Sequence, residues 1–297
     1  MGPSASLLPY LALGAVCIFW GTTYLGIRVA LESFPPLVLM ALRFLISGLI
    51  LLVWAKAEGV TFPSLRETLR TIAVGLLLLG VANTCLTYSE TLIPSSLAAL
   101  FLTTAPFWLV GIEAITGGDK LTLPVAIGLS VGLCGTAILL APGAGALDMT
   151  PSVWAGFLIL QLGSFFWNAG SILQRRWKTS THFMLTGAIQ QLGVGVICLI
   201  VALATPQREV HWTSLKGWAA VAWLVAFGSI VAYSAYIYAL NTLPISLVSI
   251  YTYINPIVAV TLGKLFYNEP FGTKEMIAML VIFIGVGIVK RFSHRTS

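Results

Sequence analysis

The sequence predicts an all-α integral membrane protein with ten transmembrane helices. Of its 297 residues, 58% are hydrophobic and 9% are charged, whereas a soluble globular domain carries about 25% charged residues. The mean hydropathy is +0.95, a value that excludes a soluble enzyme and a disordered chain. The net charge of +6 lies in short clusters between apolar runs, which is typical of membrane topology rather than of a nucleic-acid-binding surface.

Ten apolar runs are long enough to cross a bilayer, for which a helix needs about 20 residues. The connections between the runs are too short for a separate soluble domain. The tenth run is interrupted near its start by Lys274 and Glu275, which can extend to the membrane surface. In chain order the runs are Leu8–Ile27, Pro36–Trp54, Thr71–Ser89, Ser95–Thr116, Pro124–Pro142, Ser152–Gln174, Phe183–Ala204, Gly217–Leu240, Ile245–Gly263 and Phe271–Val289.

The positive charges in the loops predict that both termini are cytoplasmic. With that orientation, ten Lys and Arg residues face the cytoplasm and five face the outside, as the positive-inside rule requires. The prediction is a multi-pass protein of the plasma or inner membrane. The inner set is Lys56, Arg66, Arg70, Lys120, Arg175, Arg176, Lys178, Lys290, Arg291 and Arg295, and the outer set is Arg28, Arg208, Lys216, Lys264 and Lys274.

The two halves of the chain resemble each other. A shift of 147 residues places Trp20 on Trp167 and Arg28 on Arg175, and a shift of 150 places Pro94 on Pro244 and Pro106 on Pro256. We therefore predict two five-helix repeats, residues 1–147 and 148–297. Because five is odd, the second repeat enters the membrane in the opposite orientation. Inverted repeats of this kind are typical of secondary transporters, whose substrate site lies near the membrane midplane.

Several short motifs, spread over nearly the whole chain, resemble the EamA-type branch of the drug/metabolite transporter superfamily. The resemblance implies ten helices in an inverted five-plus-five repeat and the transport of small metabolites, often amino acids. In the first half, the family pattern has Glu followed by Pro or Arg, whereas this chain has Asp119-Lys120 at that place. The motifs are Phe19-Trp20-Gly21, Ala41-Leu42-Arg43-Phe44, Pro94-Ser95-Ser96 before Pro106, Pro244-Ile245-Ser246 before Pro256, and Asn268-Glu269-Pro270.

The family's layout implies a cavity lined by the first, third, fourth, sixth, eighth and ninth helices, and these helices hold most of the polar side chains. Polar residues within a span face the protein interior or a cavity. Helical spacing places Trp20, Thr23 and Tyr24 on one face, and Asn83, Thr87 and Tyr88 on another. The predicted substrate-binding residues are Trp20, Thr23, Tyr24, Asn83, Thr87, Tyr88, Thr103, Trp167, Asn168, Ser171, Tyr236, Tyr253 and Asn255. The alternative is that they hydrogen-bond their own helices or mark the membrane interface.

Arg43 is the most costly residue in the predicted spans. It lies about 12 Å into the second helix at 1.5 Å per residue, where an unpaired arginine costs at least ~2.5 kcal/mol. We expect a partner, with Glu90 the first candidate and Glu32 the second. Arg43 is then either a structural polar bridge, as the repeat-equivalent Gln190 indicates, or a charge anchor for a substrate carboxylate.

Two carboxylates are candidate proton sites. Glu113 lies within the fourth run, and Glu90 follows the third. A buried acid with a raised pKa is the usual proton carrier in such a protein, but an interfacial acid at Glu113 is the simpler interpretation. No deep carboxylate pair is present, so facilitated transport stays open beside proton antiport.

The predicted function is a carrier that exports amino acids or related solutes by alternating access. The alternatives are a multidrug or metabolite exporter with proton antiport and, remotely, a membrane enzyme. An enzyme needs a nucleophile–base cluster or metal ligands, and the three histidines share no metal-ligand spacing. We expect no cofactor, no metal and no nucleic-acid partner. The partners are the bilayer, a small-molecule substrate and, with antiport, protons. Gly128, Gly132, Gly285 and Gly287 are expected to pack helices within a functional monomer.

Overall fold

The computed structural model describes residues 7–116, 122–140, 150–177, 181–207, 209–243 and 245–293, and within these ranges the chain is helical with no strand. Asp119-Lys120, the boundary between residues 147 and 148, and both chain ends lie outside them. The helices are α1 Leu8–Ala30, α2 Pro36–Ala57, α3 Leu65–Ser89, α4 Ser95–Ile115, α5 Leu123–Leu140, α6 Pro151–Arg176, α7 Phe183–Ala204, α8 Leu215–Thr242, α9 Tyr251–Tyr267, preceded by the one-turn helix Ile245–Val248, and α10 Thr273–Ser293.

Seven of these helices are long and apolar enough to cross a membrane, namely α1–α4 and α6–α8. The structure confirms an all-helical protein with several potential spans, and the ten-span arrangement stays a prediction. Most boundaries differ from the apolar runs by a few residues. The α3 helix begins at Leu65, six residues before its run, since Ser64 caps it by accepting a hydrogen bond from the Glu67 amide at 3.3 Å.

Helix packing is organised by two pairs. The α2 helix packs along α7, and α5 packs along α10. The second contact depends on glycine, because a Cβ atom on Gly285 would lie 2.8 Å from the Cα of Gly132. This contact is within the chain, as expected for Gly128, Gly132 and Gly285, whereas a Cβ atom on Gly287 would meet nothing within 4 Å. Large apolar side chains such as Ile200 and Leu203 on α7 remain exposed, which suits a surface covered by lipid.

The remaining contacts surround the centre of the molecule. The α1 helix packs against α8 and α9, and α6 packs against α3 and α4. Both α3 and α8 contain a π-helical stretch near their middle, Leu76–Val81 and Leu224–Ala232. Such stretches occur often at functional sites, because they shift carbonyl groups out of the regular ladder.

Candidate functional site

A central cavity lies between α1, α2, α3, α4, α6, α8 and α9. The space between its lining atoms, including the part that opens outward, is about 830 Å³. Its wall is mainly apolar with a few polar groups. Helix α2 is an addition to the lining helices that the resemblance implied. The predicted site residues that line the cavity are Trp20, Thr23, Tyr24, Arg43, Asn83, Trp167 and Asn255.

Four aromatic rings form a layer at one end of this cavity, and we call Trp20, Trp167, Tyr236 and Tyr251 the aromatic layer. Trp20 and Trp167 meet edge to face with ring centroids 5.3 Å apart, a favourable geometry. Tyr236 lies 4.9 Å from Trp20 and 5.3 Å from Trp167. The Trp167 indole donates a hydrogen bond to the Tyr251 hydroxyl at 2.8 Å, which fixes the layer across α1, α6, α8 and α9.

A smaller cavity borders the aromatic layer at Tyr236 and Tyr251. It is lined by Asn168, Ser171 and Tyr236, and it shares Tyr251 and Thr252 with the central cavity. The Ser171 and Tyr236 hydroxyls are 2.7 Å apart. The predicted residues of α6 are thus divided: Trp167 faces the central cavity, while Asn168 and Ser171 face the smaller one.

The π-helical stretches present carbonyl groups to side chains at the cavity. The Trp20 indole donates to the Gly228 carbonyl at 3.0 Å, and the Asn83 amide donates to the Leu78 carbonyl at 3.1 Å. Gly228 and Leu78 differ by 150 positions, the same shift that relates the two halves of the sequence. Asn255, with its amide assigned from its surroundings, donates to the carbonyls of Tyr251 and Cys17 at 3.1 and 2.9 Å.

Arg43 lies in the cavity wall, and the expected ion pair with Glu90 or Glu32 is wrong. Its Nε donates to the Ser229 hydroxyl at 2.7 Å, and its guanidinium lies 5.2 Å from the centre of the Phe44 ring. Glu32 pairs instead with Lys216 at 2.7 Å. Neither ion pair among the described residues includes Arg43, because the side chain turns toward α8 rather than toward the end of α3.

Glu90 is fully buried just beyond the end of α3, and neither carboxyl oxygen has a hydrogen-bond partner in the described part of the chain. Arg28 binds the Glu90 main-chain carbonyl at 2.9 Å. Burial raises the pKa of the Glu90 carboxyl well above its ordinary value; the Glu269 carboxylate raises it further, and Arg28 opposes both. Glu269 accepts hydrogen bonds from the Ser95 and Ser96 amides at 2.9 and 2.8 Å, which caps the start of α4.

The other candidate proton site differs in its surroundings. Glu113 forms a partly exposed ion pair with Arg176 at 3.1 Å, near the ends of α4 and α6. This position fits the simpler interpretation of an interfacial acid, and its proton role stays a prediction.

Four predicted substrate-binding residues are not among the residues that line either the central or the smaller cavity. The common face expected for Asn83, Thr87 and Tyr88 is wrong for Tyr88, which is five residues from Asn83 and exposed. The Thr87 hydroxyl binds the Asn83 carbonyl at 2.8 Å. Thr103 binds the Leu100 carbonyl at 2.6 Å, the back-bonding alternative, and Tyr253 packs on Phe283 of α10. Their roles in substrate binding stay predictions.

Several cavity residues escaped the sequence-based selection. Gly228 and Ser229 lie in an apolar run, and no pattern in the sequence predicts a π-helical stretch there. In the sequence, no feature distinguishes Phe44 from the other apolar residues of α2 as a residue of the cavity. Tyr251 and Ser164 are polar residues of predicted cavity helices. Only the packing of these helices shows that both side chains line the cavity.

A membrane-type helical fold with a central cavity of apolar walls and a few fixed polar groups defines a multi-pass membrane transporter. The model of the EamA-like transporter family matches residues 7–141 and again residues 154–291. The chain therefore belongs to the EamA-like transporter family, which confirms the resemblance. Membership points to a transporter of small metabolites rather than to an enzyme.

Curated relatives and a solved structure agree with this assignment. The chain is 36% identical over 285 residues to the inner membrane transporter YedA of Escherichia coli (strain K12), covering 95% of this chain and 91% of YedA. It is 26% identical to PagO of Salmonella typhimurium over 91% of this chain and 89% of PagO. A crystal structure with 21% identity covers 97% of this chain and 98% of its own, with a TM-score of 0.73. At that identity the likeness shows the fold alone.

Proposed function

We propose that this protein is a carrier of the inner membrane that moves a small amphipathic metabolite by alternating access. The observation that carries the proposal is the aromatic layer, which borders both cavities. Trp20 and Trp167 come from repeat-equivalent positions and close one end of the central cavity. Rocking the two halves about this layer would open the smaller cavity and close the larger one, as alternating access requires.

The pairing of helices supports a ten-helix inverted repeat. Under the predicted correspondence, α1 to α5 match α6 to α10. The pairs α2–α7 and α5–α10 then map onto themselves, and the contact of α1 with α8 maps onto that of α6 with α3. The π-helical stretches of α3 and α8 also correspond. Ten spans in all would put both termini on the same side of the membrane, and the charge bias supports the cytoplasmic side.

The substrate is an amino acid or a related solute with an apolar or aromatic body, and the direction is export. Aromatic walls bind the body while hydroxyl, amide and main-chain groups hold the polar end. Its partners are this solute and the bilayer, nucleic acid has no part, and the functional unit is a monomer. The second candidate is export of a drug or other metabolite by proton antiport. The observation that favours antiport is Glu90, a buried carboxyl with no bonded partner in the described chain.

The test is transport of radiolabelled amino acids and other metabolites by the purified protein in liposomes, with and without a proton gradient. Trp20→Ala and Trp167→Ala are expected to weaken binding of the transported solute at least tenfold, about 1.4 kcal/mol, while membrane insertion is unchanged. Trp154→Ala is the matched control, because Trp154 lies on α6 but is exposed. Wild-type affinity in both cavity variants would place the site elsewhere.

Transport that needs no proton gradient, and that Glu90→Gln leaves unchanged, would support facilitated transport over antiport. The topology has its own test. A reporter fused after Ser297 should read cytoplasmic, and a reading on the outer side would contradict the predicted orientation.

A further inference from the structure

The guanidinium of Arg43 lies in the wall of the central cavity with part of its hydrogen-bonding capacity unused. The residue is only 4% exposed. Its Nε is held by Ser229, but its Nη1 makes no hydrogen bond within the described chain. The ring of Phe44 offers a cation–π contact, which does not replace a hydrogen-bond acceptor. Burying a charged donor of this kind costs free energy unless an acceptor forms a hydrogen bond with it.

The cavity itself supplies no opposite charge. Among the described residues that line the cavity, Arg43 is the one with a charged side chain. The nearby acids are engaged or turned elsewhere: Glu32 pairs with Lys216, Glu269 caps α4, and the Glu90 carboxyl does not line the cavity. The cavity therefore carries a net positive charge that an anionic group of a bound solute would neutralise.

The position of Arg43 in the fold does not by itself require a charge. In the second half, the equivalent residue is Gln190, which is fully buried in the contact between α7 and its neighbours. Gln190 donates to Gln174 at 2.7 Å and accepts from the Tyr233 hydroxyl at 2.8 Å. A neutral amide thus serves packing at a position outside the lining of the central cavity, while the charged residue lines that cavity.

Neighbouring groups leave room for the guanidinium beside the cavity. A Cβ atom on Gly228 would lie 2.9 Å from the Nη2 of Arg43, so the glycine leaves room for the guanidinium. The Ser164 hydroxyl is a second buried group without a hydrogen-bond partner in the described chain, and it lines the same cavity from α6. Two unpartnered polar groups therefore face a cavity whose other walls are mainly aromatic and aliphatic.

We propose that Arg43 is the carboxylate subsite of the central cavity and that the substrate is a small organic carboxylate with an apolar or aromatic body. The planar guanidinium fits the two oxygens of a carboxylate better than a lysine ammonium does. The aromatic layer, whose Trp20 indole binds the Gly228 carbonyl beside Arg43, receives the apolar body. This inference rests on the proposed transport function, and it adds the charge and the geometry of the substrate's polar end.

The experiment measures binding by isothermal titration calorimetry to the purified protein in nanodiscs. The probes are matched pairs that differ in the carboxylate: L-phenylalanine and L-phenylalaninamide, L-leucine and L-leucinamide, and 3-phenylpropionate and 3-phenylpropionamide. We expect the wild-type protein to prefer the carboxylate in at least one pair by tenfold or more, the scale of a charge-assisted hydrogen bond.

Three variants separate the role of Arg43 from a general effect on folding. Arg43→Gln copies the residue found at position 190 and should reduce the preference to less than about twofold. Arg43→Lys keeps the charge and should retain part of the preference, because a point charge binds one oxygen rather than two. Arg70→Gln is the control, since Arg70 is exposed on α3 and should keep the full preference.

Two results would overturn the inference. One is equal binding of the carboxylate and amide members by the wild-type protein, and the other is an unchanged preference in Arg43→Gln. If either occurs while Trp20→Ala still weakens binding, the transport function stands and only the carboxylate subsite is wrong. If the wild-type protein moves no solute of the liposome panel, the proposed function itself fails.

Discussion

Helices α2 and α7 pack along each other and carry Arg43 and Gln190 at positions related by the sequence repeat. Both side chains are buried, but their surroundings differ. Gln190 has a partner for its nitrogen and one for its oxygen, whereas Arg43 has one bonded nitrogen and an unpartnered Nη1 in the described chain. A satisfied polar group stabilises packing, and an unsatisfied one at a cavity is available to a ligand.

The end of α3 and its counterpart on α8 show the same contrast between an ionisable and a non-ionisable buried side chain. Glu90 in the first half corresponds, at a shift of 150, to Leu240 in the second. Both are buried, so the first half holds ionisable groups where the second half holds an amide and an aliphatic side chain. The two halves share a packing scheme, and at these two pairs of positions the first half carries the group that can bind charge or protons.

The largest expected effect on stability is at Gln190. Gln190→Leu removes two buried hydrogen bonds and leaves the Tyr233 hydroxyl without its acceptor. Interhelical hydrogen bonds in membranes average about 0.6 kcal/mol and reach about 1.7, so we expect a loss of about 1–3 kcal/mol in thermal unfolding in detergent. Arg43→Gln should destabilise less and impair substrate binding more. The reverse ranking would show that Arg43 is the structural anchor.

A second prediction concerns the buried acid. Glu90→Leu copies residue 240 and should stabilise the protein by about 1 kcal/mol at pH 7, since it removes an unbonded buried carboxyl. In the wild type, stability should fall as pH rises above the ordinary value of 4.5, because the unfolded chain loses its proton first and the native state then binds more protons. The trend continues until the pH passes the raised native pKa.

Melting temperatures of wild type, Glu90→Leu and Glu90→Gln from pH 4 to 8 measure this effect. Glu90→Gln keeps the shape of the side chain without a titrating group, so it should lose the pH slope without gaining the full stability of the leucine variant. Burial sets most of the effect, and the charged groups that modify it are Glu269 and Arg28. An unchanged slope in both variants would assign the pH dependence to another residue.

The smallest expected effect is at the exposed ion pair of Lys216 with Glu32. Partial burial alone would raise the pKa of Glu32, but hydrogen bonds from Lys216 and Tyr267 lower it below its ordinary value. Since both side chains are exposed, Lys216→Ala should cost no more than about 0.5 kcal/mol and less at high salt. A loss as large as that of Gln190→Leu would contradict the expectation that a buried hydrogen-bonded group stabilises this protein more than an exposed ion pair.

The sequence by itself determined the class of fold, the family and part of the cavity. Long apolar runs can satisfy their backbone groups in lipid only as helices or closed barrels, and their length favours helices, so composition alone led to the helical membrane fold. The i, i+3, i+4 spacing correctly grouped Trp20, Thr23 and Tyr24, because a regular helix fixes which side chains share a face. The repeat shift correctly brought Trp20 and Trp167 together.

Only the tertiary structure decided which polar groups have partners. Arg43 binds Ser229 rather than Glu90 because a π-helical stretch in α8 presents that hydroxyl, and π-helical stretches have no sequence pattern of their own. Tyr88 and Tyr253 match the composition of the cavity residues but face outward or toward α10. Composition and spacing show that a residue is polar and which neighbours share its face. Whether that face meets a cavity, another helix or lipid depends on contacts between residues far apart in the chain.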